Sequence, residues 1–248
     1  MEYRPLDEND PNLTFNRERV KDGKAAYIVR VPRSNTALVE AIQQLMEEGK
    51  KLYHQEDGVL PRIHFDGHLY LPLLVQETDK LETIPPGLNK SEAQFVRDLK
   101  DFWNAQKDTS MSGKEVYVLR NLSRGKGVGF FENSGFYPDF ILWVVDQSSS
   151  QRIIFVEPHG MLHAKAYVHD EKARLHERLP ALAKEVAQRS GRTGVSLDAF
   201  IISATPYEEL RKRYDDGTWD RTKFAEKHIF FLERGADYDY MKLLFGSG

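Results

Sequence analysis

The clearest pattern of apolar and polar positions lies between Gly135 and Gly160. Two short apolar runs in this stretch, 140–145 and 153–156, are rich in β-branched and aromatic residues. Each has the length of a buried strand and is too short for an ordinary helix. The residues between them, DQSSS at 146–150, are typical of a turn. The pattern therefore predicts a β-hairpin with a loop of moderate length.

Two carboxylates flank this hairpin. Asp139 precedes the first strand, directly after Pro138, and Glu157 ends the second strand, directly before Pro158. Because the start of one antiparallel strand lies beside the end of its partner, we expect the two carboxylates to meet at one edge of the sheet. Converging hard oxygen ligands with an open side hold Mg²⁺ in proteins that act on phosphate groups. In the alternative interpretation both residues are ordinary charges at strand ends.

Elsewhere the pattern predicts alternating helices and strands. The N-terminal elements are a strand at 25–31, a helix from 35 or 36 to about 51, and a hairpin at 62–75. The later elements are a helix that Ser91 caps, ending near 106, a strand at 115–119, the central hairpin, a helix at about 171–190, a strand at 197–202, a helix at 207–214, a strand at 228–232 and a short helix at 238–244. This order predicts an α/β core with a mixed sheet flanked by helices.

The predicted organisation has two parts, divided at the run Pro85-Pro86-Gly87. Residues 1–87 form a small N-terminal α+β region without recognisable chemistry, and residues 88–248 form the larger domain. A metal site is one interpretation of the histidines in the first part: His54, His64 and His68. The hairpin pattern explains His64 and His68 better, since no acidic or cysteine partner has ligand spacing beside them.

Composition and charge narrow the class of protein. The 248 residues are 40% hydrophobic and 29% charged, which is ordinary for a globular chain, and they include no cysteine. Disulfides and thiolate metal sites are therefore excluded, and we expect a cytoplasmic protein. No apolar stretch approaches the ~20 residues of a membrane span, so we expect no membrane association. The net charge of −3 argues against coating DNA by bulk electrostatics but allows a local basic channel.

The order Pro138-Asp139, apolar strand, Glu157-x-His159 resembles the PD-(D/E)xK nuclease superfamily. More closely, the segments GFYPDFILW, FVEPHG, ISATPYEEL and HIFFLERGADYDYMKLL, in this order between Leu88 and Leu244, are similar to the C-terminal endonuclease domain of type III restriction enzymes and related helicase-fused nucleases. The resemblance implies a restriction-endonuclease-like core and a Mg²⁺-dependent DNA endonuclease, for which Mn²⁺ can substitute. It also implies a restriction or anti-phage defence system, with a helicase/ATPase or modification subunit as partner in cis or in trans.

The resemblance assigns roles to particular residues. Asp139 and Glu157 hold the ion, with the main-chain carbonyl of Pro158 as a third oxygen ligand, and Glu92 on the first core helix completes the catalytic set. A favourable interaction with the helix N-terminus explains Glu92 equally well. His159 stands where lysine is usual in the family. It could act as a neutral base or as a cation, and the sequence leaves both roles open.

Basic residues near these motifs are candidates for DNA contact. Arg124 and Lys126 lie in the glycine-rich segment NLSRGKGVGFF, where contact with DNA phosphates and a solvated turn are equally good interpretations. Lys165 follows the hairpin closely and is predicted to contact DNA. The basic residues that follow are expected on a solvated helix face: Lys172, Arg174, Arg178 and Lys184.

Two other functions compete with the nuclease. A nuclease-like module that no longer cuts and binds only nucleic acid or a partner is favoured by His159 in place of lysine. An interaction domain of a helicase-type assembly fits residues 1–87 and also the missing motor motifs. The chain has the triplet Ser203-Ala204-Thr205, which is similar to one in helicases, but no GxxxxGK[ST] motif for ATP.

Overall fold

The elements of the chain follow the predicted order in a computed structural model. It describes residues 28–30, 34–48, 60–67, 73–76, 82–84, 87–121, 137–148, 150–191 and 193–246. The N-terminal elements are β1 (Ile28–Arg30), α1 (Thr36–Glu48), β2 (Arg62–Ile63), β3 (Leu73–Leu74) and β4 (Glu82–Ile84). The predicted strand, helix and hairpin are thus present, the hairpin in shorter form. β4, which pairs with β1, has no counterpart in the predicted elements.

The larger part of the chain supplies the remaining elements. They are α2 (Lys90–Gln106), β5 (Lys114–Arg120), β6 (Phe140–Asp146), β7 (Gln151–His159), α3 (Leu175–Ser190), β8 (Val195–Ser203), α4 (Tyr207–Arg211), α5 (Arg221–Glu226), β9 (Ile229–Phe231) and α6 (Tyr240–Gly246). The short helix α5 was not predicted from the sequence.

A five-stranded sheet in the order β5-β6-β7-β8-β9 organises these elements. β5, β6 and β7 pair antiparallel, and β7, β8 and β9 pair parallel, so the predicted mixed sheet is confirmed. The predicted hairpin is β6-β7, with Phe140 opposite Val156. α3 connects β7 to β8, as a parallel pair requires a crossover.

Both faces of the sheet are covered, which explains why its strands are apolar without strict alternation. Phe140 and Leu142 pack on one side in a cluster with Phe95 of α2 and Tyr240 of α6. Ile141, between them, packs on the other side in a cluster that includes residues of α3. The chain thus has an α/β fold with helices on both faces of a mixed sheet. No described helix is long and apolar enough to cross a membrane.

The N-terminal hairpin joins the same core. Ile63 and Phe65, together with Leu73 and Val75, belong to the cluster that contains Phe95 of α2. Pro85 and Pro86 of the predicted boundary lie outside the described residues, as do His54 and His68. His64 lies within them, and its Nε2 is 2.7 Å from Oδ1 of Asp66 in the turn.

Two helix starts differ from the sequence prediction. Asn89, not Ser91, caps α2, because the Asn89 side chain accepts a hydrogen bond from the Glu92 amide at 3.0 Å. The third helix was expected from about residue 171, yet α3 begins at Leu175. Oδ1 of Asp170 accepts a hydrogen bond from the Ala173 amide at 3.1 Å. Asp170 therefore caps a separate turn over residues 171–174, in which its carbonyl accepts the Arg174 amide at 3.0 Å, and the regular helix begins only after that turn.

Candidate active site

Asp139 and Glu157 meet at one edge of the sheet. The backbone amide of Asp139 donates a hydrogen bond to Oε2 of Glu157 at 3.2 Å. This contact follows from the register, which places Phe140 opposite Val156 and therefore puts the residue before β6 beside the residue after Val156. The Glu157 side chain is 9% exposed and that of Asp139 is 25% exposed. The expected convergence of the two residues is therefore present, with Glu157 the more deeply buried.

Arg120 links Asp139 to Glu92. It is the last residue of β5 and pairs with Phe140, so its side chain starts beside Asp139. Its Nη1 lies 3.1 Å from Oδ1 of Asp139 and donates to the Asp139 carbonyl at 2.9 Å, while its Nη2 lies 2.8 Å from Oε1 of Glu92. The planar fork of a guanidinium can bind two carboxylates at once. Glu92 is thereby brought to the same edge as the hairpin carboxylates.

Glu92 also belongs to the start of α2. It is the third residue of a capping box, and its Oε2 accepts a hydrogen bond from the Asn89 amide at 2.9 Å. The next residue towards the N-terminus, Ser91, donates from Oγ to the Pro158 carbonyl at 3.0 Å. Both interpretations of Glu92 therefore have structural support: it caps a helix, and it contributes a carboxylate to the site.

Lys172 contacts the site from the segment before α3. Its Nζ is 2.7 Å from Oε1 of Glu157. Lys172 is exposed, as expected, but it does not lie on the helix face, because it precedes the first turn of α3 and lies beside the end of β7. The sequence gives little warning of this contact, since the segment between them has no periodic pattern.

Burial and mutual repulsion raise the pKa of two of the carboxyl groups. For Glu157 burial is the larger cause and the charge of Asp139 adds to it, so its pKa lies at about 7 although Lys172 opposes the shift. The pKa of Glu92 is also raised to about 7, by burial and then by Asp139, against the effect of Arg120. The site thus holds more carboxylate than its cations offset, and a bound cation would relieve the repulsion.

His159 lies two residues after Glu157 on β7 and on the same side of the sheet. Its Nδ1 is 4.0 Å from Oε1 of Glu157, too far for a hydrogen bond, and the His159 side chain is 33% exposed. Burial, and then the charge of Lys172, lower the pKa of His159 below its ordinary value. The lowered pKa favours the neutral imidazole, and with it the base among the two roles that the sequence left open.

The donor chemistry of the site fits a hard divalent ion. Among the residues that the structure describes, no group of three or more His, Asp and Glu side chains is arranged to hold a metal. Mg²⁺, however, commonly binds through one or two carboxylates and keeps several waters. Asp139 and Glu157 supply such a pair. The Pro158 carbonyl already accepts the Ser91 hydroxyl, and a second lone pair on that oxygen remains for a ligand.

Of the three residues predicted to contact DNA, only Lys165 lies among the described residues. Lys165 is exposed on the segment between β7 and α3. Arg124 and Lys126 lie outside the described residues, so their assignment stays a prediction. Arg120 was not singled out from the sequence, although the rule applied to the hairpin would have found it: the end of antiparallel β5 must lie beside the start of β6.

Comparison of the chain with protein-family models, with curated proteins and with solved structures finds no match. The resemblance to PD-(D/E)xK nucleases therefore remains an inference from the sequence motifs.

The raised pKa of Glu92 predicts a pH-dependent effect of Glu92→Gln. A carboxyl with a higher pKa in the folded protein binds more protons when folded. Its contribution to the free energy of unfolding therefore falls as pH rises from its unfolded value of 4.5 to about 7. Glutamine keeps the capping geometry and cannot ionise. The free energy of unfolding of Glu92→Gln minus that of the parent should therefore be larger at pH 7.5 than at pH 5, by about 1–3 kcal/mol.

Urea unfolding at the two pH values, in the presence of a chelator, measures this difference. If Glu92→Gln changes the free energy of unfolding equally at both, Glu92 ionises normally and the electrostatic description of the site is wrong.

Proposed function

We propose that the chain is a metal-dependent endonuclease that hydrolyses DNA phosphodiester bonds, and that it is the nuclease part of a restriction or anti-phage defence helicase-nuclease. The observation that carries the proposal is the meeting of Asp139 and Glu157 at one sheet edge, where the Asp139 amide donates to the Glu157 carboxylate at 3.2 Å. The order of the motifs resembling type III restriction enzymes supplies the substrate class and the biological setting.

In this proposal Asp139, Glu157 and the Pro158 carbonyl hold Mg²⁺ or Mn²⁺. Such an ion, when bound, activates water and offsets the charge that develops on the phosphoryl group. Arg120 keeps Asp139 in place, because its Nη1 donates to both the side-chain carboxylate and the main-chain carbonyl of Asp139. Glu92 is a positioning residue, because it contacts Arg120 and the helix start and acts on Asp139 through them.

His159 is the proposed base. A neutral imidazole has one nitrogen that can accept a proton from the attacking water. The lowered pKa of His159 favours this neutral form. Lysine at this position would be charged at pH 7, so the substitution exchanges a fixed cation for a proton acceptor.

The direct test is divalent-ion dependence. The protein should cleave plasmid DNA with Mg²⁺ or Mn²⁺ and lose all cleavage with a chelator, and Asp139→Ala should be inactive with either ion. Parallel reactions on single-stranded DNA identify the preferred strand form. Cleavage that persists with Asp139→Ala or with a chelator would come from a contaminant or another site, and would contradict the proposal.

A second prediction concerns His159→Ala. We expect the cleavage rate to fall by roughly 10²- to 10⁴-fold, the usual range for a positioned acid–base group. With saturating divalent ion, the parent's rate should rise with pH as the His159 imidazole loses its proton, and His159→Ala should lack this rise. A pH–rate profile under single-turnover conditions measures both effects. If His159→Ala cuts as well as the parent while Asp139→Ala is inactive, His159 is not the base.

One observation favours a module that binds without cutting. Lys172 and Arg120 already occupy oxygens of all three carboxylates, in contacts of 2.7 Å to Glu157, 2.8 Å to Glu92 and 3.1 Å to Asp139. Such ion pairs could fill the site permanently. This module would bind DNA or a partner protein and show no cleavage with either ion, which the same assay would detect.

A further inference from the structure

The ion pair between Lys172 and Glu157 joins a fixed carboxylate to an exposed ammonium. The Glu157 side chain is 9% exposed and extends from β7, whereas the Lys172 side chain is 49% exposed. Oε2 of Glu157 is also held by the Asp139 amide at 3.2 Å. Glu157 therefore has little freedom to move. If the pair opens, the part that moves is the flexible four-carbon stem of Lys172.

The backbone that carries Lys172 is anchored on both sides. Before it, the Tyr167 amide donates to Oδ1 of Asp215 at 3.1 Å, and the Tyr167 hydroxyl donates to Oε1 of Glu177 at 2.8 Å. Directly after it, the Ala173 amide donates to Oδ1 of Asp170 at 3.1 Å. The Lys172 Cα is thus held near the site while its ammonium can swing. An ammonium released from Glu157 would remain beside the sheet edge.

Lys172 and a divalent ion compete for the same oxygen. An ion held by Asp139 and Glu157 needs carboxylate oxygens, and Oε1 of Glu157 is the one that Lys172 contacts at 2.7 Å. With three carboxylates and the cations Arg120 and Lys172, the site carries a single net negative charge when all are ionised. A divalent ion would reverse that sign. A phosphate group of DNA would then restore neutrality.

We propose that Lys172 is the exchangeable counter-ion of this site: it neutralises Glu157 before the divalent ion binds, and the ion releases it to bind a DNA phosphate. This inference rests on the proposed function. A lysine ammonium is a point charge that binds phosphate well. Because the ion and the DNA then depend on the same side chain, each should raise the affinity of the protein for the other by the same factor.

The test compares Lys172→Met with Lys184→Met, which removes the same charge from an exposed position on α3. Calorimetry with Ca²⁺ in place of Mg²⁺ measures ion binding without DNA. Lys172→Met should bind Ca²⁺ about fivefold more tightly than the parent or better, because the competing ammonium is gone. Lys184→Met should match the parent. A merely structural role for Lys172 would leave the Ca²⁺ affinity unchanged or weaken it.

DNA binding supplies the second measurement. The affinity for a short duplex is measured with Ca²⁺ and with a chelator, and a gel checks that the duplex stays intact. Saturating Ca²⁺ should raise the affinity of the parent and of Lys184→Met by about fivefold or more. In Lys172→Met most of that increase should be lost. Lys172→Gln should give the same two results, and thermal melts confirm that the variants fold.

The failures of the two proposals are distinguishable. If Ca²⁺, Mg²⁺ and Mn²⁺ all fail to bind the parent, both the proposed function and this inference are wrong. If the parent binds the ions and Asp139→Asn does not, the metal site stands. In that case two results would each overturn the role of Lys172 and leave the proposed function intact. One is that Lys172→Met binds Ca²⁺ no more tightly than the parent, and the other is that it keeps the full increase in DNA affinity.

Discussion

Glu157→Gln is expected to abolish most cleavage and at the same time to stabilise the protein at pH 7.5. Removal of one of two carboxylate ligands costs several kcal/mol of transition-state stabilisation, and each 1.36 kcal/mol is a tenfold change in rate, so the loss should be about 10³-fold. The folded protein holds the pKa of Glu157 at about 7, above its usual 4.5. Glutamine has no charge to bury, so the gain in stability should be about 1–3 kcal/mol.

Single-turnover cleavage and urea unfolding at pH 7.5 measure the two effects. Glu226→Gln is the matched control, because Glu226 is exposed and its ion pair is with a neighbouring lysine in its own helix, Lys223, at 3.0 Å. It should alter the free energy of unfolding by no more than about 0.5 kcal/mol and leave cleavage intact. A Glu157→Gln variant that is both inactive and less stable than the parent would show that Glu157 serves mainly to support the fold.

The largest loss of stability is expected from Arg120→Met. Arg120 is buried and its guanidinium lies 5.2 Å from the ring centroid of Phe140. Its removal leaves Glu92 and Asp139 close together without their shared cation. Loss of one partner from a buried ion pair typically destabilises a protein by about 3–5 kcal/mol, because the other charge stays buried. Arg120→Lys should recover only part of this, since a single ammonium cannot bridge two carboxylates as the guanidinium does.

A double-mutant cycle isolates the charge effect. Arg120→Met combined with Glu92→Gln should be more stable than Arg120→Met alone, because one of the uncompensated charges is gone. Lowering the pH to 5 should also reduce the loss in Arg120→Met, since the carboxyl groups then take up protons. If neither change recovers stability, Arg120 acts through packing on Phe140 and not through its charge.

The central hairpin and its two carboxylates were predictable from the sequence because both are local. The apolar runs lie close together, and antiparallel pairing fixes which residues meet once the turn is placed. Asp139 and Glu157 therefore came together as expected, with the Asp139 amide on Glu157. Most helices and strands of the larger part were also predicted, because their apolar positions repeat with the helical period or run unbroken through a buried strand.

The contacts that complete the site were not predictable in the same way. Lys172 reaches Glu157 from a non-periodic segment, and the position of that segment depends on where α3 starts. A separate turn over residues 171–174, which the Asp170 side chain caps, precedes that start. Ser91 was expected to cap α2, but it donates instead to the Pro158 carbonyl on a strand distant in sequence. Such pairs depend on how a helix docks on the sheet, and one sequence carries no direct signal of docking.

The capping box at the start of α2 bears on the entropy of ligand binding at this edge of the sheet. Glu92 is held at both carboxylate oxygens, by the Asn89 amide at Oε2 and by Arg120 at Oε1. A glutamate side chain loses about 1.5–2 kcal/mol of rotamer freedom when it is ordered. Here that freedom is lost during folding, and Arg120 is ordered with it. A ligand that binds beside Asp139 therefore meets side chains that are already immobile, so its affinity is not reduced by the ordering of either residue.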